Sequence, residues 1–124
     1  MPLPGELTKL EYAGHLCRAI ERAFPAYLVG VYGSVLTQGE FARDIDILMV
    51  PKRETAIPDA QLIAAAIGGT VLAQLEHGIS ASSCLVHMER FGNTPVILDI
   101  RIDRWVRPTG HPGFDCPVPM EAEG

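Results

Sequence analysis

The order of apolar patterns in this 124-residue chain predicts a single α/β (α+β) domain with a mixed β-sheet. Three observations predict it. An amphipathic helical pattern opens the chain, short β-branched runs then alternate with helical ones, and the last two runs flank a Gly-Asn-Thr-Pro turn. The length fits too, because one domain commonly takes about 100–150 residues.

Taken in order, Leu7, Leu10, Ala13, Leu16, Cys17, Ile20 and Phe24 recur at steps of three and four, which predicts a helix from Thr8 to Phe24. Thr8 and Glu11 match a capping box, Leu7 and Tyr12 a hydrophobic staple, and Pro25 ends the pattern. Tyr27 to Tyr32 reads as a strand closed by Gly33 and Ser34. Val35 to Arg43 is mixed, with one or two helical turns expected and a break near Gly39. Asp44 to Val50 reads as a second strand, ended by Pro51. Asp59 to Ile67 is expected to be helical, with Pro58 at its start and Gly68–Gly69 after it. Thr70 to Leu75 is a third expected strand, and Ser83 to Arg90 with Val96 to Ile102 an antiparallel pair. From Asp103 the prolines and glycines exclude regular structure, so the domain is expected over 1–102 and a tail over 103–124.

The net charge of −5 argues against binding extended nucleic acid, which relies on a basic surface. It leaves an anionic substrate open, since a bound cation supplies positive charge locally. No apolar run approaches the ~20 residues of a membrane span, and the N-terminus lacks a secretory pattern. With three widely spaced cysteines, Cys17, Cys84 and Cys116, the simplest reading is a reduced, cytoplasmic setting.

Asp44 and Asp46 stand two apart on an expected strand, so their carboxylates share one face while Ile45 and Ile47 turn into the core. Carboxylates so placed repel unless a cation sits between them, and a hard ion such as Mg²⁺ suits oxygen ligands and phosphates. Asp99 interrupts another apolar strand in the same way. Three such acids on adjacent strands fit two metals roughly 3.5–4 Å apart, suited to phosphoryl chemistry, with Asp99 as ligand or general base on the nucleophile side. Gly33 lets backbone approach a phosphate, and Ser34 adds a hydroxyl. Each feature alone has a plain structural reading, as a turn or a solvated strand face. Their joint order and spacing favour a site.

Val31-Tyr32-Gly33-Ser34 followed by Asp44-Ile45-Asp46-Ile47, with Asp99 within Val96 to Ile100, resembles the signature of the DNA polymerase β-like nucleotidyltransferase superfamily. The match is close from Tyr27 to Val50 and loose to Ile102, and the small size looks like the minimal nucleotidyltransferases. The resemblance implies the nucleotidyltransferase fold, a mixed β-sheet flanked by helices. It also implies two Mg²⁺ ions and transfer of a nucleoside monophosphate, AMP for preference, from a triphosphate such as ATP to a hydroxyl acceptor. Some minimal members work with a helical HEPN-type partner, and several are antitoxins that transfer AMP to a partner protein. In many of them a basic residue follows the glycine–serine pair and a serine precedes the first acid. Here Val35, Leu36 and Thr37 follow, and Arg43 precedes Asp44, so Arg43 and Arg101 are the expected phosphate-gripping residues. The same departures, and the lack of the helical domain carried by larger members, give the alternative: a weak or inactive module of this fold, acting as an antitoxin or partner subunit.

Arg101 should share the face of Asp99, as an ion-pair partner or a phosphate contact. His15 reads as structural and His77 as a loop residue. Cys84 and His87 fall on opposite strand faces, and His111 and Cys116 lie in the tail, so a zinc site is not expected. Trp105, between Arg104 and Arg107, is an anchor for the tail or a partner contact.

Overall fold

The computed structural model describes residues 8–33, 44–91 and 94–106. The chain is α+β, with two helices and a five-stranded mixed sheet among those residues. Helix α1 spans Lys9–Ala23, strand β1 Tyr27–Tyr32, strand β2 Asp44–Pro51, helix α2 Ala60–Ile67, strand β3 Thr70–His77, strand β4 Ala81–Phe91 and strand β5 Thr94–Asp103.

The capping box is present. Glu11 N–H donates to the Thr8 hydroxyl at 3.1 Å, and Thr8 N–H to the Glu11 carboxylate at 2.9 Å. Accepting that bond holds the Glu11 carboxyl below its ordinary value. Leu7, the other half of the expected staple, lies outside the described residues. Asp59 caps α2 through Gln61 N–H, and Gly68 closes it in the left-handed region at φ 74°. The helix therefore starts one residue later than Asp59, because a capping residue is extended rather than helical.

Sheet order is β1-β2-β5-β4-β3, with β2 and β5 parallel and every other pair antiparallel. The expected β4–β5 pairing occurs, joined across Gly92 and Asn93, which lie outside the described residues. Strands β3, β4 and β5 each run longer than their apolar runs. Polar ends such as Glu76 and His77 are carried along because Ser82 and Ala81 oppose them and complete the ladder. The strand β5 thus reaches Asp103, one residue past the expected domain limit.

Both helices pack on one sheet face, against Ile45, Ile47, Met49, Val86, Leu98, Ile100 and Ile102, all essentially inaccessible. The other face carries the alternate residues: Leu28, Gly30 and Tyr32 on β1; Asp44, Asp46, Leu48 and Val50 on β2; Ile97, Asp99, Arg101 and Asp103 on β5. No helix among the described residues is long and apolar enough to cross a membrane.

Candidate functional site

Register brings two of the three candidate acids together. Asp46 on β2 is the direct partner of Asp99 on parallel β5, and on its other side Asp46 opposes Tyr32 of β1. Tyr32, Asp46 and Asp99 thus form a row across three strands, with neighbouring backbones about 4.8 Å apart. Both acids are half-buried on the face opposite the two helices. Like charges at this spacing repel, and a cation between them relieves the cost.

Gly33 closes on this pair. Its φ is +78°, a conformation natural to glycine and strained for other residues. A side chain there would have its Cβ 3.0 Å from Asp46 Cγ and in collision with Asp46 Oδ2. The turn therefore holds bare backbone against the carboxylate, a cradle that any other residue would fill. Ser34 and Arg43, expected as its companions, lie outside the described residues, as do 35–43 with their expected helical turns.

Asp44 shares the face of Asp46 but stands one strand repeat away, opposite Ile97, and is exposed. Among the described residues no three His, Cys, Asp or Glu converge as a ligand set. The donors that fit a hard cation are thus Asp46 and Asp99, with Asp44 about 7 Å along the strand.

Arg101 shares the face of Asp99, and its Nε donates to Asp103 Oδ1 at 3.0 Å. Arg101 thus pairs with Asp103, two residues further along β5, whereas the expected partners were the site acids. His77 is not a loop residue: it ends β3, where its Nε2 lies 2.8 Å from Ser83 Oγ. It opposes Ala81, itself opposite Asp103, which sets it at the end of the sheet away from Asp46. On α1, His15 Nδ1 meets Arg18 at 3.2 Å. Cys84 is buried on the helix-covered face and His87 stands on the opposite one. Trp105 is half-buried; His111 and Cys116 lie outside the described residues.

Two further residues face the site, neither of them marked as a functional group by motif or spacing. Tyr32 and Gly30 alternate with core-packed Val29 and Val31, and that period of two places them on the face of the acids. Burial pushes the Tyr32 phenol up from its ordinary value, and Asp99 and then Asp46 add to the shift, so it stays protonated beside the acids. Beyond it a groove of about 330 Å³ runs along β1, lined by Glu21, Leu28, Gly30, Tyr32, Leu48 and Val50 among others. A second cavity, of about 220 Å³, lies between the end of α1 and the segment after β2 and holds none of the site acids.

No protein-family model matches the chain, and no curated protein matches it significantly in sequence.

Proposed function

We propose that this chain is a minimal nucleotidyltransferase of the DNA polymerase β-like superfamily, transferring a nucleoside monophosphate, AMP for preference, from a triphosphate to a hydroxyl on a protein, an RNA or a small molecule. The observation that carries the reading is the Asp46–Asp99 pair across β2 and β5, with the Gly33 turn seated on the Asp46 carboxylate. In this reading the protein works in the cytoplasm, with ATP and Mg²⁺ at hand.

Asp46 and Asp99, with Asp44, would hold Mg²⁺. When bound, Mg²⁺ neutralises the triphosphate and polarises the phosphorus under attack. Gly33 backbone admits the phosphates close to Asp46, because no Cβ intervenes. Asp99 orients the acceptor and takes its hydroxyl proton. The hydroxyl oxygen forms a bond to the α-phosphorus while the bond to pyrophosphate breaks. The Arg101 guanidinium, held by Asp103, balances negative charge on the same face.

One observation favours a second reading. Asp44 is displaced from the other two acids, and among the described residues no three-ligand set converges. A module of the same fold that binds a partner, such as a helical HEPN-type protein or a second copy, needs no such set. Calorimetry with each nucleoside triphosphate, with and without Mg²⁺, separates the readings. The transferase gives Mg²⁺-dependent heat and label transfer from α-labelled ATP, and Asp46→Asn lowers transfer by at least about a hundredfold. Heat under no condition, or transfer undiminished in Asp46→Asn, sinks the transferase reading.

A further inference from the structure

Gly30 sits in the middle of β1, where glycine weakens a strand by roughly 0.5–1 kcal/mol. Glycine within a strand ordinarily marks a bulge, a bend or a close approach of another group. None of these applies among the described residues. The β1–β2 register runs unbroken through the Gly30–Leu48 pair, and Gly30 is not among the glycines with positive φ. Among the described residues, a Cβ built at Gly30 meets no heavy atom within 4 Å. The fold has room for a side chain there, and the room opens on the face that carries Asp46 and Asp99.

We propose that the groove over Gly30, walled by Leu28, Tyr32, Leu48 and Val50, is the slot for the nucleobase of the triphosphate, an assignment that rests on the transferase reading above. Its volume of about 330 Å³ falls within the rough range of small-ligand sites, about 300–1,000 Å³. Its floor at Gly30 is flat backbone, which suits a planar ring, and Tyr32 supplies an aromatic surface for stacking. The rim charge is acidic, Glu21, whose Oε2 accepts Val29 N–H at 3.0 Å. A carboxylate there repels phosphates and sends the triphosphate the other way, toward Gly33. Leu48 is two residues from Asp46 on the same strand face, about 7 Å, so base and phosphates fall within the span of one nucleotide.

The test is calorimetry in Mg²⁺ with ATP and with inorganic tripolyphosphate, on the wild type, Gly30→Val and Gly30→Ala. A β-branched residue suits a strand, so Gly30→Val fills the groove without cost to the fold. Wild type binds ATP at least about tenfold more tightly than tripolyphosphate, the order of gain that stacking of one base supplies. Gly30→Val removes that margin, leaves tripolyphosphate affinity within about twofold, and melts no lower than wild type. Gly30→Ala removes less of it. Gly30→Val binding ATP as wild type does, or losing both ligands equally while folded, overturns the slot alone. So does a wild type that shows no preference for ATP over tripolyphosphate. Unfolding of both variants overturns its premise that the fold has room at Gly30. A wild type that binds neither ligand overturns the transferase reading together with the slot.

Discussion

Replacing Gly33 by alanine is the sharpest test of the turn that faces the acids. Two costs add. The left-handed backbone at φ +78° costs an L-residue about 1–2 kcal/mol. The new Cβ also stands 3.0 Å from Asp46 Cγ and 3.2 Å from Asp46 Cβ, and collides with Oδ2, where carbon–carbon contacts ordinarily settle at about 3.5–4.0 Å. The carboxylate must swing away, adding about 1 kcal/mol at an off-rotamer geometry. Urea denaturation of Gly33→Ala should therefore show a loss of about 2–3 kcal/mol. In an Asp46→Ala background Oδ2 and Cγ are gone and only the 3.2 Å approach to the residue's Cβ remains, so the same substitution should cost less, giving a coupling of about 1 kcal/mol in a double-mutant cycle. Under the transferase reading, Gly33→Ala also weakens Mg²⁺-dependent ATP binding by about tenfold or more, since the displaced carboxylate no longer sits opposite Asp99. A cost identical in both backgrounds would falsify the contact between the turn and Asp46. Unchanged ATP binding in a variant with the coupling would detach the turn from the nucleotide.

Three further outcomes follow from the same structure. Thr8→Ala removes the hydroxyl that accepts Glu11 N–H at 3.1 Å and should lower stability by about 1 kcal/mol, read by urea denaturation and by helix content from circular dichroism. Leu98→Ala, on the central strand and inaccessible to solvent, should cost about 2–5 kcal/mol; a smaller loss with retained cooperativity would mean that the core collapses around the gap. Burial pushes the Cys17 and Cys84 thiols up to about 11 from 9.0, with Glu21 adding at Cys17 and Asp99 at Cys84. Because the folded state holds these protons more tightly, their stabilisation is complete below pH 9 and disappears as pH rises through 11. The loss is at most about 2–3 kcal/mol per thiol, and stability curves of Cys84→Ala should fall less over that window than those of wild type.

Much of the fold is legible in the sequence, because it depends on local patterns. The period of α1, its Thr8–Glu11 box and the Asp59 and Gly68 ends of α2 are set within a few residues of chain, where backbone donors and acceptors must be satisfied. The alternation of Asp44, Ile45, Asp46 and Ile47 likewise fixes which side chains face the core, since successive residues of a strand point to opposite faces. Strand ends were less legible: Glu76, His77 and Asp103 join the sheet because a neighbouring strand offers them partners, and nothing in their own polarity says so. His77 became a strand residue for that reason.

What only the tertiary structure decided is which distant residues meet. Asp46 and Asp99 are 53 positions apart in the chain, and their meeting depends on β2 and β5 lying parallel in one particular register, in which Asp46 falls opposite Asp99 and Asp44 opposite Ile97. A shift of one residue would send Asp99 to the helix-covered face. The same holds for Gly30 and Tyr32. The sequence by itself placed them on a strand, but their facing Leu48 and Asp46 across β1–β2 comes from pairing that no local pattern encodes. Spacing along the chain determined the acids and the glycine turn as candidates; the pairing of strands, driven by burial of the apolar face against α1 and α2, made them neighbours.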